Sequence, residues 1–260
     1  MAEPCIFCHR EARLTGEHLW SDWSNKLYDL TAYNVRRTEP DSSGLPGTST
    51  QWKSRSVNFK VKAVCERCNS TWMSDLEQQM KSVAKDMIVD ASPALLVPAD
   101  ISTIAAFAFK TAIIYDHLNM GEGRRPLKGT FFSPKTRQDF RCHLKIPDGV
   151  HIWLAKFVSR AARAGRLRGG YFNFKRGPRK DFRFFVVTYA TGHFAFQILC
   201  SRWRGRHKAK VSPPRVIQHP RWSRASVLMW PNEGQPVGWP PPQHFTDGSI
   251  DAFADRWEVI

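Results

Sequence analysis

The sequence predicts an α+β protein in which a small N-terminal unit and a connecting helix precede a basic α+β domain built on an antiparallel sheet. Three observations support this prediction. Two Cys-x-x-Cys pairs bracket the first part of the chain, helical periodicity follows the second pair, and short runs beyond residue 124 alternate between apolar and polar positions. We expect the three units to span residues 1–92, 93–123 and 124–260.

In the first unit, residues 38–51 are rich in Ser, Thr, Gly and Pro, which predicts an exposed loop. The next stretch, SVNFKVKAVC at 56–65, alternates in polarity and predicts a half-buried strand. Apolar residues then recur at steps of three and four, which predicts an amphipathic helix with Ser70 or Thr71 as its N-cap. The first unit should therefore end in a helix.

A second helix is predicted over residues 101–118, with Asp100 or Ser102 as its cap and apolar residues on most faces. Beyond it the period changes to that of strands, and TGH forms a short hairpin connection between the last two. The predicted strands are VHIWLAKF, GGYFNFK, FRFFVVTYA and HFAFQIL, and IDAFADRW near the end predicts a short helix.

The start of the chain and its apolar segments favour a cytoplasmic protein. The first residues have no basic start followed by an apolar run, so no signal peptide is predicted. The longest apolar stretch is interrupted by Lys110 and is shorter than the roughly 20 residues that a membrane span requires. We therefore expect no membrane partner.

Charge is divided unevenly along the chain. Residues 1–100 contain 12 Lys and Arg against 13 Asp and Glu, whereas residues 101–260 contain 27 against 10. A basic half of this size repels itself unless it meets an anionic partner, and a polyphosphate backbone is the commonest such partner. The second half of the chain is therefore expected to bind nucleic acid.

Four cysteines, Cys5, Cys8, Cys65 and Cys68, form the pattern C-x2-C-x56-C-x2-C. Each Cys-x-x-Cys turn can present two thiolates to one tetrahedral Zn²⁺. A redox role would require one such pair on a βαβ pattern, which the sequence lacks. Four thiolates leave no open position on the metal, so the predicted zinc is structural. The other two cysteines, Cys142 and Cys200, are expected to be small buried hydrophobic residues.

A zinc ion at these cysteines would join two segments that carry further polar residues. The first segment contains CIFC and LTGEHLW, and the second is VCERCNSTWMSDLE. Glu17 and His18 therefore lie near one cysteine pair, and Asn69 directly follows the other. This pattern resembles the zinc-knuckle branch of the HNH (His-Asn-His) endonucleases, whose catalytic unit is a ββα-metal fold. The resemblance covers roughly residues 5–90.

The resemblance implies roles for these residues. His18 matches the histidine that acts as general base toward the attacking water. Glu17 and Asn69 fall where the family has ligands to a catalytic divalent cation, Mg²⁺ or Mn²⁺, which would stabilise the leaving oxygen of a phosphodiester. The middle asparagine of the family motif matches Lys60 here, and the nearest asparagine, Asn58, is the candidate to orient His18.

Residues 124–224 contain 25 Lys and Arg against three Asp, and two runs at 160–183 and 202–210 are densest in basic residues. Aromatic residues lie between these charges, which suits phosphate contact with occasional base stacking. An acidic protein partner is the alternative. The predicted nucleic-acid-binding residues are Arg166, Arg168, Lys175, Arg176, Arg179, Lys180, Arg202, Arg204 and Arg206.

Together these features predict a metal-dependent HNH-type endonuclease that hydrolyses phosphodiester bonds, with DNA favoured over RNA as substrate. Members of this family are commonly bacterial or phage proteins. The alternative is a zinc-stabilised nucleic-acid-binding protein without catalysis, in which Glu17, His18 and Asn69 are structural. A homodimer would suit double-strand cleavage, and the helix at 101–118 is either its interface or an internal element.

Overall fold

The computed structural model describes residues 3–19, 21–27, 33–40, 46–54, 60–118, 130–159, 165–175, 181–203 and 222–254. For residues 25, 33–40, 46–54, 118, 170–175, 181, 182 and 203 it describes the backbone only. Helices and antiparallel strands are both present, which confirms the predicted α+β class with an antiparallel sheet.

The described strands pair in five sheets, of which the largest has the order β12-β8-β11-β10-β9 with antiparallel neighbours throughout. The strands are β1 (Glu3–Pro4), β2 (Glu11–Ala12), β3 (Leu14–His18), β4 (Tyr33–Pro40), β5 (Pro46–Ser54), β6 (Lys60–Cys65), β7 (Ala94–Leu96), β8 (Val150–Lys156), β9 (Gly165–Lys175), β10 (Asp181–Thr191), β11 (Phe194–Trp203), β12 (Ser226–Trp230) and β13 (Val237–Trp239). The helices are α1 (Asp22–Lys26), α2 (Glu66–Cys68), α3 (Ser74–Val89), α4 (Pro98–Leu118), α5 (Pro134–His143) and α6 (Asp247–Ala254), with a π-helical turn at Asn69–Met73.

The N-terminal part is organised around an antiparallel ribbon of β3 and β6, which leads directly into helical structure. Thr15 pairs with Val64 and Gly16 with Lys62, so Ala63 is the extra residue of a β-bulge. The Ala63 carbonyl accepts a hydrogen bond from the Ile6 amide at 3.0 Å. The bulge therefore turns a backbone acceptor toward the first cysteine turn.

Helical structure begins at Glu66, earlier than the predicted caps. The Ser70 hydroxyl donates to the Glu66 carbonyl at 2.8 Å and the Thr71 hydroxyl to the Arg67 carbonyl at 2.6 Å. Hydroxyls bonded four residues back lie inside a helical turn, so the prediction that Ser70 or Thr71 is an N-cap is wrong. Thr71 has φ −109° and ψ −108°, a non-helical conformation that kinks the π-helical turn before α3 begins.

Helix α4 is the central packing element. Pro98 occupies its first turn, and the Asp100 carboxylate accepts from the Val97 amide at 3.0 Å, which satisfies the backbone at the helix start. Its apolar residues are buried against α3 on one side and against the large sheet on the other. The expectation of a buried helix here is confirmed.

The large sheet is covered on both faces by apolar residues. Alternate residues of β10, such as Phe185 and Val187, belong to the same buried cluster as α4. The residues between them, such as Phe184 and Val186, pack with the C-terminal segment that includes α6. The four predicted strands and the two-residue turn between β10 and β11 are therefore confirmed.

Two elements differ from the predictions. The predicted loop at 38–51 is wrong for residues 38–40 and 46–51, which belong to the antiparallel strands β4 and β5, and residues 41–45 lie outside the described residues. Helix α5 was not predicted, although Ser133 caps it by accepting from the Thr136 amide at 3.1 Å and Pro134 follows as the first helical residue. These are ordinary helix-start signals within a short, polar segment.

The described core does not divide at the predicted domain boundaries. One cluster of buried apolar residues runs from Cys5 in the first unit through α4 to Trp239 in the last. The division at 92 and 123 stays a prediction, but side chains on either side of both boundaries pack together. Among the described residues, no helix is both long enough and apolar enough to cross a membrane.

Candidate metal centre and candidate active site

Four cysteine sulphurs meet at the base of the β3–β6 ribbon. The Sγ atoms of Cys5, Cys8, Cys65 and Cys68 lie within 4.8 Å of one another, and those of Cys8 and Cys65 are 3.6 Å apart. A tetrahedron of sulphurs around Zn²⁺ has S···S separations of about 3.8 Å. The predicted four-cysteine metal centre is confirmed in its geometry, and its four thiols fit a structural zinc ion.

The first cysteine turn is fixed by its backbone. The Cys5 carbonyl accepts from the His9 amide at 2.9 Å, the Cys5 amide donates to the Arg10 carbonyl at 3.0 Å, and His9 adopts a left-handed φ of 57°. A hydrogen bond from the Cys68 thiol lowers the pKa of Cys5 to about 4, and sharing this proton raises the pKa of Cys68. A hydrogen bond between the Cys68 and Cys5 sulphurs thus joins the two halves of the cluster.

Helix α5 packs beside this centre and brings positive charge to it. Burial would lower the pKa of Arg141, but the neighbouring Cys68 sulphur outweighs burial and raises it. Trp72 makes edge-to-face contacts with Phe7 at 5.0 Å and Phe140 at 5.7 Å between ring centroids. Since four thiolates around Zn²⁺ carry a net charge of −2, a guanidinium at this position offsets part of that charge.

The two remaining cysteines have different environments. Cys200 is buried in the sheet, as predicted, and burial raises the pKa of its thiol well above the ordinary value. Cys142 is exposed on α5, so the prediction that it is buried is wrong. The final turn of α5 faces solvent at Cys142. This agrees with the sequence, in which Arg141 and His143 flank it.

Glu17 is buried and ion-paired. It points from β3 toward α4, where its Oε1 accepts from the Lys110 Nζ at 2.8 Å. The same ammonium lies 2.8 Å from Glu77 Oε1 on α3, and that oxygen also accepts from the Ser21 hydroxyl at 2.9 Å. One buried polar cluster therefore joins β3 and Ser21, which lies just before α1, to the helices α3 and α4.

The pKa values of this cluster follow from its charges. Burial would lower the pKa of Lys110, but Glu17 and Glu77 outweigh burial and raise it. Burial would raise the pKa of Glu77, but the Lys110 ammonium and the Ser21 hydroxyl lower it overall. Both groups are thus held in their charged forms, as a buried ion pair requires.

His18 lies on the opposite face of the ribbon from Glu17. Successive residues of a strand point to opposite faces, and His18 pairs with exposed Lys60 whereas Glu17 pairs with buried Val61. His18 is half-buried, and it contributes, after Lys26, to lowering the pKa of the Asp22 carboxyl. The imidazole therefore lies on the partly open face, near basic and acidic groups.

Asn69 is placed with Glu17 and not with His18. Its Nδ2 donates to Thr15 Oγ1 at 3.2 Å, and the Thr15 hydroxyl donates to the Val64 carbonyl at 3.0 Å. Thr15 and Glu17 are two residues apart on β3 and so share one face of the ribbon. The structure brings Glu17 and Asn69 to that face and His18 to the other, while Asn58 lies outside the described residues.

A divalent cation does not fit at Glu17 in this arrangement. The carboxylate is buried, and its Oε1 already binds an ammonium that is 2% exposed. A second cation beside Lys110 would add like charge where no water screens it. The assignments of Glu17 as a metal ligand and of His18 and Asn69 as catalytic residues stay predictions.

The predicted nucleic-acid-binding residues are partly described. Arg166 forms an ion pair with Asp247 at 2.7 Å, whereas Arg168 is exposed two residues further along β9. Arg202 is exposed at the end of β11, directly opposite Arg183, and donates to the Phe131 carbonyl at 2.9 Å. Lys175 ends β9, where the backbone alone is described. Arg176, Arg179, Lys180, Arg204 and Arg206 lie outside the described residues.

Lys110 was not among the predicted site residues, although it interrupts the longest apolar stretch of the sequence. A signal was available, because a lysine within a helix that is apolar on most faces must be paired when it is buried. Its partners could not be identified from sequence, since Glu17 and Glu77 lie 93 and 33 residues away.

No protein-family model, curated protein or solved structure matches this chain.

Proposed function

We propose that this protein is an HNH-type endonuclease that hydrolyses phosphodiester bonds, with DNA as its favoured substrate. The observation that carries the proposal is the strand–strand–helix unit built on the cysteine cluster. Strand β3, which ends in Glu17-His18, pairs with β6, and β6 leads through Cys65 and Cys68 into the helical turn that starts with Asn69. These are the elements that the resemblance requires, in the required order.

In this proposal His18 is the general base. Its imidazole lies on the partly open face of the ribbon, where a nucleic-acid phosphate has access, and histidine is the side chain that most often serves as a general base. Lys60 directly opposite offers a positive charge to the same phosphate. Water, the base and the phosphate can thus meet on one face.

A divalent cation, as the resemblance implies, would supply Lewis-acid stabilisation of the leaving oxygen. The resemblance places Asn69 among the ligands of that cation, but the Asn69 amide donates to Thr15 on the Glu17 face of the ribbon, away from His18. No step is assigned to Glu17 in proton transfer.

Cleavage of supercoiled plasmid and of single-stranded DNA by the purified protein tests this proposal. Mg²⁺ or Mn²⁺ should support cutting, EDTA should prevent it, and His18→Ala should lower the rate at least 100-fold. His244→Ala is the matched control, because His244 is exposed in the C-terminal segment. Equal cutting by wild type and His18→Ala would contradict the proposal.

One observation favours the second candidate, a zinc-stabilised nucleic-acid-binding protein without catalysis. Glu17 is buried in an ion pair, and His18 lies on the opposite face of β3 from Glu17. Salt-sensitive DNA binding by a protein that cuts neither substrate with either metal ion would favour this alternative.

A further inference from the structure

The buried cluster of Glu17, Lys110, Glu77 and Ser21 has no role in the proposed reaction. Its ammonium is 2% exposed, and the Glu17 side chain is 6% and the Glu77 side chain 24% exposed. Removing charged groups from water is costly. A lysine and two glutamates in one buried site therefore need good mutual geometry, so that their attraction offsets the cost of desolvation. Two 2.8 Å contacts from one Nζ supply that geometry.

The cluster encloses the segment that carries His18. Glu17 precedes His18 by one residue, and Ser21 follows it by three. Glu17 is held by α4 through Lys110, and Ser21 is held by α3 through Glu77. Glu17 and Ser21 are therefore fixed to the same pair of helices, which limits how far His18 can shift with them.

Lys110 also takes the position that a cation would occupy between two carboxylates. Glu17 and Glu77 come from different elements, and each carboxylate lies 2.8 Å from the same ammonium. Without a positive charge between them the two carboxylates would repel each other. The protein provides that charge from α4, so no divalent cation is needed to hold the pair.

We propose that Lys110 is the resident cation of the Glu17–Glu77 pair and a positioning residue for His18. The catalytic consequence rests on the proposed function, whereas the effect on the placement of His18 does not. In this scheme Glu17 anchors β3 to Lys110 and does not bind the catalytic metal ion.

The first test compares Lys110→Met with Lys85→Met, in which an exposed lysine of α3 is changed in the same way. The readout that does not need activity is the pair of ring nitrogen signals of His18 in long-range ¹H–¹⁵N spectra, assigned with His18→Ala. We expect these signals to shift or broaden in Lys110→Met and to stay unchanged in Lys85→Met, with one zinc ion per chain in both. Unchanged His18 signals in folded Lys110→Met would overturn the proposal.

If wild type cleaves DNA, the kinetics add a second readout. Lys110→Met should lower kcat at least tenfold with KM within about twofold, because buried Lys110 does not contact the substrate and only the general base is displaced. A raised KM with unchanged kcat would argue against positioning. If wild type does not cleave, the proposed function fails, and the His18 signals still decide this inference.

Glu17→Gln separates an anchoring role from a metal-binding role. We expect the Mn²⁺ concentration that gives half-maximal cleavage to stay within twofold of wild type, while kcat falls. A tenfold or larger increase in that concentration would identify Glu17 as a metal ligand and refute our assignment.

Lys110→Met leaves two buried carboxylates without their partner and can fail to fold. The triple variant Glu17→Gln/Glu77→Gln/Lys110→Met removes all three charges at nearly constant volume, a change that buried ion pairs often tolerate. The proposal expects its His18 signals to differ from wild type. A folded triple variant with wild-type signals would overturn it.

Discussion

At the residue scale, Lys110 is the side chain whose environment most limits its chemistry. It is buried in the apolar centre of the molecule and bonded to two carboxylates at 2.8 Å. Removing one partner from such a buried set leaves uncompensated charge, which typically costs about 3–5 kcal/mol. That cost reflects the charge left unpaired and is not the net stability that the complete cluster adds, because burying all three groups also costs desolvation.

The stability of Lys110→Met should depend on pH. The pKa of Glu77 is lowered from its ordinary value of 4.5, so the contribution of Glu77 is present above that pH and is lost as pH falls. The pKa of Lys110 is raised from 10.5, so its contribution is present below that pH. We expect Lys110→Met to lower the free energy of unfolding by about 3–5 kcal/mol at pH 7 and by clearly less at pH 3.5.

Urea denaturation of wild type and Lys110→Met at both pH values measures this difference. Lys85→Met serves as the control, since an exposed lysine should change stability by less than about 0.5 kcal/mol at either pH. A cost for Lys110→Met that is the same at pH 3.5 and pH 7 would show that packing, and not charge, accounts for it.

At the element scale, the cysteine cluster ties together pieces of chain that are distant in sequence. It joins the turn before β2 to the junction of β6 and α2, and α5 packs against it through Phe140. Metal binding energy of about 10 kcal/mol can act as folding energy for so small a unit. The folding of β3, β6 and the adjoining helices should therefore depend on the metal ion.

Cys68→Ala should abolish stoichiometric zinc binding and lower the melting temperature by 10 °C or more, because three thiolates bind the ion weakly and leave the ribbon unbraced. Cys142→Ala is the matched control, since Cys142 is exposed outside the cluster. Zinc content by atomic absorption and melting by circular dichroism measure both effects. A full equivalent of zinc in Cys68→Ala would contradict the four-cysteine site.

Helix α4 approaches the large sheet closely at Gly169 of β9. A Cβ atom there would lie 2.6 Å from Tyr115 Cε1 and 2.8 Å from the Val186 carbonyl oxygen. Since neither the ring nor the backbone can yield freely, Gly169→Ala should destabilise the protein by about 1–3 kcal/mol. Gly238→Ala in β13 meets nothing within 4 Å and should be nearly neutral. Chemical denaturation of both variants tests the contrast, and equal stabilities would refute it.

Sequence patterns predicted the elements whose periodicity is regular. The alternating strands of the large sheet and the apolar helix α4 follow from the pattern alone. The pairing of β4 with β5 was missed because Ser, Thr and Gly are common in loops, and composition alone does not show that two polar segments pair as strands. Likewise, the cysteine cluster followed from spacing, whereas the pairing of Glu17 with Lys110 depends on tertiary packing.

At the scale of the whole molecule, the continuous core changes the meaning of the predicted N-terminal unit. The Glu17–Lys110 bond crosses the predicted boundary at residue 92, and α4 packs on both α3 and the large sheet. The candidate active site and the basic sheet are thus connected through one helix. A nucleic acid bound along the sheet would be held in a fixed relation to the β3–β6 ribbon.

The basic surface should make the affinity for DNA strongly dependent on salt. The chain carries a formal net charge of +16, and phosphate contacts release counterions on binding. Exposed arginines can reach a phosphate backbone, and Arg168 on β9 has an exposed side chain. Arg168→Gln should therefore reduce the slope of log K against log salt concentration by about 1.

Arg166→Gln should leave that slope nearly unchanged and lower stability instead, since Arg166 pairs with Asp247 at 2.7 Å and is a cationic partner of that partly buried carboxylate. Lys135→Gln removes the same charge from α5, where the lysine is 84% exposed and pairs with Asp139. Fluorescence anisotropy with a labelled duplex between 50 and 200 mM salt measures all three variants. Equal slopes for Arg168→Gln and Lys135→Gln would mean that net charge, and not contact along β9, sets the affinity. A reduced slope for Arg168→Gln alone would place the phosphate backbone against β9, on the edge of the sheet opposite β12.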